Sequence, residues 1–483
     1  MPVTRFSAED ANRNLRRNRN SIWPDGRVPT DRLGKLAKLS FTPTFTFSRQ
    51  DRIMTIGSCF AREIEHRLAG LGFDVPMKQI ELPAEERSTK TANDIVSKFT
   101  VQSMENELLW STGAAAPPPP EKLFLQVGEG LWHDPQLVNN VTPASLERLA
   151  ERRRLVEDAF RQLPSCKVVV ITLGLAEAWF DHETGLYLNT APPGAALKYY
   201  PGRFSLDLLS YEDISASLER IYALLKAHGH PDFKVLITVS PVPFKATFSG
   251  GDALTANSYS KAVQRAACEA FVRRHDNVDY FPSFEIVTLS DRELVYEKDN
   301  VHVGNSTVAY IVDQVLTHYT PDIKFKPAQV GTPKTRREGA EEKPYDLFVL
   351  AKHHIQEDEP AKAVEACERY MERFYEQASP QDKATARMTF ASALSKAGRF
   401  DDAAVQLAAA AELAPQNAEN WHNLGRAYVR QGRMKDAEAA FGEAARINPN
   451  DPDIHKSLAS LKNPLTKGLA LGASVLARAR AGG

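Results

Sequence analysis

Between Gly398 and Pro449 the chain repeats itself every 34 residues: Gly398 returns as Gly432, Ala403 as Ala437, Leu407 as Phe441, Ala410 as Ala444 and Pro415 as Pro449. A repeat of that length is a pair of helices that cannot bury its apolar face alone, so successive copies must stack. The residue types suit this. Ala and Gly let paired helices approach closely, Leu407 and Phe441 fill the space between them, and Pro ends the second helix. From Pro344 onward the sequence is Ala-rich and reads as helix, which commits the last third of the chain to an all-α stack.

Within that region Trp421-His422-Asn423-Leu424-Gly425-Arg426-Ala427-Tyr428 resembles the tetratricopeptide repeat residue by residue. A looser copy begins near Ala384, with Arg387 at the Trp position and Phe390-Ala391 at the Leu-Gly positions. A degenerate copy spans Tyr345–Tyr375, with Ala363 and Cys367 on its second helix. These make about three copies, the minimum for a stable stack, and Ile454–Leu461 is expected to cap it. The repeat domain is read as residues 344–462. The basic tail 463–483 reads as a capping or frayed helix rather than a membrane-surface anchor, because its apolar face is small. Residues 320–343 lose periodicity and read as a linker.

Upstream the pattern changes. Ile53–Ile56, Val168–Leu173, Val235–Val239 and Val278–Phe281 are apolar, mostly β-branched runs ending at Gly57, Gly174, Ser240-Pro241 and Pro282. Near-continuous runs suit strands buried on both faces. Helical periodicity separates them, at Ile64–Leu68, Leu146–Leu163 and Ile214–Leu225, which predicts a parallel sheet covered by helices over residues 41–319. Pro117–Pro120 reads as an exposed loop. Residues 1–40 carry nine Lys and Arg against four Asp and Glu and read as a poorly structured basic arm.

Composition narrows the classes. The 483 residues hold 60 basic and 61 acidic side chains, a formal charge of -1, so there is no global basic excess for a nucleic-acid partner. No apolar run is long enough to span a membrane, and the N-terminus lacks the apolar core of a secretory signal. Cys59, Cys166, Cys268 and Cys367 are widely scattered and show no metal or redox spacing. A cytoplasmic protein with free thiols and no bound metal is the expectation.

Two segments carry chemistry. Gly57-Ser58-Cys59-Phe60-Ala61 follows a strand and opens a helix, which places a nucleophile at the carboxyl edge of a parallel sheet, where such folds bind ligands. The helix N-terminus behind it favours a thiolate. Asp299-Asn300-Val301-His302 precedes the last helix of the α/β part and pairs a base with an orienting acid.

Gly57–Ala61 resembles the motif that names the GSCFA family. Further blocks match in order: Ile171–Gly174 with Glu177 and Trp179, Thr238–Pro243, Asn257 with Ser260-Lys261 and Arg265, and Tyr280–Val287. The resemblance covers about Phe41 to Tyr319 and implies an SGNH-hydrolase-like, flavodoxin-like α/β fold, in a group whose members are mostly esterases and acyltransferases. It places Cys59 where SGNH enzymes carry their nucleophile, with Ser58 as runner-up, and makes His302 the base and Asp299 its orienter. Ala176 stands where such enzymes carry an oxyanion Asn, a donor whose loss elsewhere costs about 2.7–4 kcal/mol. The backbone of Cys59 and Gly174, with the Asn93 side chain, are the expected replacements. Glu177 is read either as a supporting carboxylate or as a solvated acid. Lys261 and Arg265, one helical turn apart, are read either as anion binders or, preferentially, as a solvated face. Trp179 and Tyr280-Phe281 read as core rather than as a substrate platform.

The leading expectation is an acyl-transfer enzyme acting on an oxygen ester, of a carbohydrate or polysaccharide. Cys59 attacks the carbonyl, and His302 takes and returns the proton. No resident cofactor is required, and the acyl donor, acyl-coenzyme A or a protein thioester, stays open. The repeats bind a protein partner. The rival expectation is a non-catalytic scaffold that uses the groove of the repeats, motivated by the missing Asn.

Overall fold

In the computed structural model, which describes residues 4–24, 32–88, 91–328, 330, 344–356, 358–449 and 451–461, the chain divides into two compact units, residues 1–335 and 336–483. The first contains strands β1 (Arg52–Gly57), β2 (Leu125–Gly128), β3 (Leu131–His133), β4 (Cys166–Leu173), β5 (Glu177–Asp181), β6 (Leu186–Tyr187), β7 (Phe204–Leu208), β8 (Lys234–Val239) and β9 (Val278–Tyr280). The main sheet has the order β1-β4-β8-β9 and is parallel throughout. Its four strands are the four apolar runs of the sequence. Two small antiparallel sheets, β2-β3 and β6-β5-β7, were not foreseen.

The sheet is covered on both faces, which is why its strands read as unbroken apolar runs. Ile53, Val168, Val170 and Leu236 point to one face, under helices α1 (Cys59–Gly70) and α6 (Asn305–Tyr319). Met54, Ile56, Val169, Ile171, Val235 and Ile237 point to the other, under α2 (Val101–Ser111), α3 (Leu146–Phe160), α4 (Tyr211–His228) and α5 (Ala253–Val272). Each such side chain taken fully out of water contributes about 1.5–3 kcal/mol.

Two expectations are corrected at the ends of this unit. The basic arm is not uniformly unstructured. Ala8–Arg17 is a helix capped by Ser7. Ala37 is fully buried, its N–H donates to Ser290 Oγ at 2.8 Å, and Leu36 and Leu39 pack on the core beneath α6. Charge counting missed these apolar residues interspersed among the basic ones. Likewise Ile323 and Phe325, assigned to the linker, pack on the same core; residues 331–343 lie outside the described residues.

Among the described residues the second unit is three helix pairs and a closing helix: α7 (Pro344–Gln356) with α8 (Pro360–Arg373), α9 (Pro380–Lys396) with α10 (Phe400–Leu413), α11 (Ala418–Arg430) with α12 (Met434–Ile447), then α13 (Pro452–Leu461). Gly398 and Gly432 follow the first helix of their pairs at φ of 75° and 74°, a left-handed conformation that glycine adopts without strain. The next residue closes each helix: Arg399 N–H donates to Leu394 O and Arg433 N–H to Tyr428 O, both at 2.9 Å. At Gly425 a Cβ would stand 2.5 Å from the Phe441 ring, so the repeat's glycine is fixed by its large partner. The basic tail 463–483 lies outside the described residues. Among the described residues no helix is long and apolar enough to cross a membrane.

Candidate functional site

Gly57 ends β1 opposite Thr172 of β4, and any side chain there would collide with the Thr172 hydroxyl. Glycine therefore lets the two strand ends close before the chain turns into α1. Ser58 is the N-cap, but its side chain makes no cap hydrogen bond. Its hydroxyl is buried with no hydrogen-bond partner among the described residues. Cys59 is the first helical residue and is partly exposed. Its thiol is pushed up to about 11, first by burial and then by the Asp94 carboxylate. The Phe60 N–H and Lys261 act in the opposite sense.

The segment containing Asn93 and Asp94 crosses the end of β1 as a strap: the Lys98 N–H donates to Gly57 O at 2.8 Å. A buried charge cluster fastens this strap. Lys98 Nζ lies 3.0 Å from Glu107 and donates to Gln136 O at 2.6 Å, and Arg153 pairs with the same Glu107. Asn93 is not free to hold an oxyanion: its amide N–H groups donate to Glu65 Oε2 at 2.7 Å and Met77 O at 3.0 Å. The sequence shows a donor here but not the acceptors that consume it.

One strand over, at the end of β4, Gly174 packs so closely on the strap that a Cβ would stand 2.8 Å from Phe99 O. Its carbonyl accepts from Lys261 Nζ at 2.8 Å and from Gln264 Nε2 at 3.3 Å. Lys261 is 1% exposed, which corrects the solvated-face reading. Burial pushes its ammonium down to about 7, with Cys59 pulling the other way. Arg265 does not accompany it. Its guanidinium pairs with Glu285 at 2.8 Å and Glu269 at 3.0 Å and lies 4.0 Å above the Tyr280 ring, so its charge is already answered.

His302 and Asp299 meet in the loop before α6. Nδ1 lies 2.5 Å from Asp299 Oδ2, and Asp299 Oδ1 accepts from the Val301 and His302 N–H groups. Although burial acts to raise it, the His302 ring and these N–H groups hold the Asp299 carboxyl below its ordinary value. Tyr296 anchors the loop at the carboxyl end of β8 by donating its hydroxyl to Pro241 O at 3.2 Å. The two side chains are 63% and 47% exposed, and no hydrogen bond joins His302 to Cys59 among the described residues.

Glu177, at the start of β5, is held by the Thr247 hydroxyl and by the Phe248 N–H at 3.0 Å, a placed carboxylate rather than a freely solvated one. It lines a cleft of about 230 Å³ with Asp252, Thr255, Tyr259 and Ser260. A smaller cavity of about 60 Å³ on its other side is walled by Trp179 and Phe248, whose rings meet edge to face at 5.3 Å. Trp179 is thus partly exposed at a cavity wall rather than core.

Residues 52–315, more than half of the chain, match the GSCFA family. The chain belongs to the GSCFA family. Residues 394–461 match the tetratricopeptide repeat, a protein-interaction module. A comparison with curated proteins finds no match. Three similar solved structures are repeat proteins. The first tetratricopeptide domain of Spaghetti (RPAP3), bound to an HSP90 peptide, is 16% identical over 26% of this chain and 95% of its own, with a TM-score of 0.23. MamA is 22% identical over 27% of this chain and 67% of its own, TM-score 0.23. The Sgt2 repeat domain from Aspergillus fumigatus is 18% identical over 26% of this chain and 82% of its own, TM-score 0.23.

In the GSCFA domain two further residues escaped the sequence reading. Arg62, one turn after Cys59, is buried with Nη2 2.8 Å from Glu65; their three-residue spacing was the available signal. Asp94 acts on the Cys59 thiol from the strap, a proximity set by folding rather than by sequence separation.

Proposed function

We propose that the GSCFA domain is an acyl-transfer enzyme of SGNH type, acting on the oxygen ester of a carbohydrate, and that the repeats recruit a protein partner. The observation that carries this reading is Cys59, partly exposed in the first turn of a helix at the carboxyl edge of a parallel sheet. The parallel order β1-β4-β8-β9, with helices on both faces, is that of an open α/β sheet, in which ligands bind outside the carboxyl ends of the strands.

In this reading Cys59 Sγ attacks the acyl carbonyl and an alcohol departs, leaving a thioester. The N–H groups of Cys59 and Gly174 face the developing oxyanion; the first N–H groups of a helix have no partner within it. In the second half-reaction His302, oriented by Asp299, takes the proton of an incoming hydroxyl. The new oxygen–carbon bond forms, the sulfur–carbon bond breaks, and the proton ends on sulfur. A sugar acceptor makes this a transferase and water makes it an esterase. Carboxylates and hydroxyls beside aromatic rings, as at Glu177, Asp252, Thr255, Tyr259, Trp179 and Phe248, suit a saccharide's hydroxyls and apolar faces.

The test is intact-mass analysis of the full chain after incubation with p-nitrophenyl acetate or acetyl-coenzyme A. One acetyl adduct is expected, on Cys59, and none in Cys59→Ala. Ester turnover that survives Cys59→Ala overturns the mechanism. The absence of an adduct with every donor favours a scaffold working through its repeats.

A further inference from the structure

Lys98 and Lys261 are both buried in the GSCFA domain, to 0% and 1% exposure, but their surroundings differ. Lys98 has an acid at 3.0 Å, Glu107. Lys261 has a carbonyl, Gly174 O, and among the described residues no carboxylate pairs with it. An ammonium buried without a counterion costs several kcal/mol, so a lysine needed only for structure is expected to be paired. The titratable group whose charge acts on Lys261 is Cys59, although among the described residues no hydrogen bond joins Nζ to Sγ and the amine donates to Gly174 O. Gly57 and Thr172 are register partners on adjacent strands; Cys59 stands two residues past the first, and Gly174, which holds Lys261 Nζ, two residues past the second. Cys59 and the Gly174 carbonyl that holds the amine therefore follow neighbouring strands, whose axes lie about 4.8 Å apart. The His302 loop is anchored at β8, one strand further.

We propose that Lys261 is the group that takes the proton from the Cys59 thiol. The assignment rests on the acyl-transfer reading for its purpose but not for its geometry. Lys261 reaches the edge because it lies on the sheet-facing stripe of α5 with Gln264, Cys268 and Phe271. The charges that act on the thiol are Asp94 on the strap, Glu63 on its own helix and Lys261 on α5. Those that face the amine are Cys59, Gly174 O and the Gln264 amide sharing that carbonyl. Below about pH 7 both groups are protonated and the thiol has no acceptor. Above it the amine is neutral. As the sulfur–carbon bond forms the S–H proton passes to Nζ, the carbon–oxygen ester bond then breaks, and the proton held on Nζ ends on the departing alkoxide. Lys261 is returned neutral, and His302 is left to serve the incoming hydroxyl.

The experiment is iodoacetamide alkylation of Cys59 in the full chain, followed by peptide mass mapping from pH 6 to 10. The wild-type rate is expected to rise with a midpoint near 7. Lys261→Met should remove that limb and slow labelling at pH 8 about tenfold. Lys261→Gln, which keeps a donor for Gly174 O but cannot take a proton, should do the same, while His302→Asn should keep the limb. A wild-type limb retained in folded Lys261→Gln, or lost in His302→Asn, overturns the assignment. No acyl substrate is present, so the two readings fail separately. A Lys261-dependent limb without any acyl adduct sinks only the acyl-transfer reading, and an adduct with an unchanged limb sinks only this one.

Discussion

Lys261 makes the stability of the GSCFA domain depend on pH in a definite direction. Its folded value of about 7 lies below the ordinary lysine value, about 10.4 in an unfolded chain. Between these the unfolded chain binds more protons, so stability falls as pH drops from about 10.4 to about 7 and levels off below. The full effect is up to about 5 kcal/mol. Urea unfolding is therefore expected to show Lys261→Met more stable than wild type at pH 7, with the difference closing by pH 10; a difference unchanged between the two would contradict a buried, unpaired amine. Glu107 gives the opposite case. It answers both Lys98 and Arg153, and Glu107→Gln should cost about 3–5 kcal/mol by leaving two buried cations short of an anion. The same titration would measure it. Residue types alone could not separate these lysines, because what distinguishes them is the presence or absence of a carboxylate brought in from another helix.

At the scale of elements, the four core strands and the helix pairs were legible because each carries its own periodicity. Gly425 shows how closely the repeat is specified: Gly425→Ala should drive a methyl into the Phe441 ring and cost about 1–3 kcal/mol, seen as a lower melting temperature of the helical signal. An unchanged melt would mean that Phe441 has room to move. The strap over Gly57 and the sheet β6-β5-β7 were not legible. The strap and the β5–β7 pairing depend on long connections, and a strand of two residues, Leu186–Tyr187, has no periodicity to read. Helix α5 was seen as a helix but with the wrong face outward at Lys261, since a lysine on an apolar stripe looks like an interruption until its partner is known.

At the scale of the whole chain, the two compact units are expected to fail independently. Gly425→Ala should weaken capture of any partner held by the repeats while the Cys59 alkylation rate stays within about twofold, because their cores share no residues and distant sites add. A parallel loss of thiol reactivity would show that the repeats act on the GSCFA site. Near-neutral net charge said nothing about this division; the change from strand–helix alternation to a 34-residue repeat did.

By itself the sequence determined the parallel sheet, the stack of helix pairs and the placing of Cys59 on a strand-to-helix turn. Each follows from local periodicity, a glycine or a proline, and the hydrophobic effect acts on such patterns wherever the chain goes. Only the tertiary structure decided which donors around Cys59 are already engaged, as Asn93 is by Glu65, and which charge stands unanswered, as Lys261 does. Those are properties of neighbours separated by tens to hundreds of residues, and hydrogen bonds and charges act over a few ångströms of space, not of sequence.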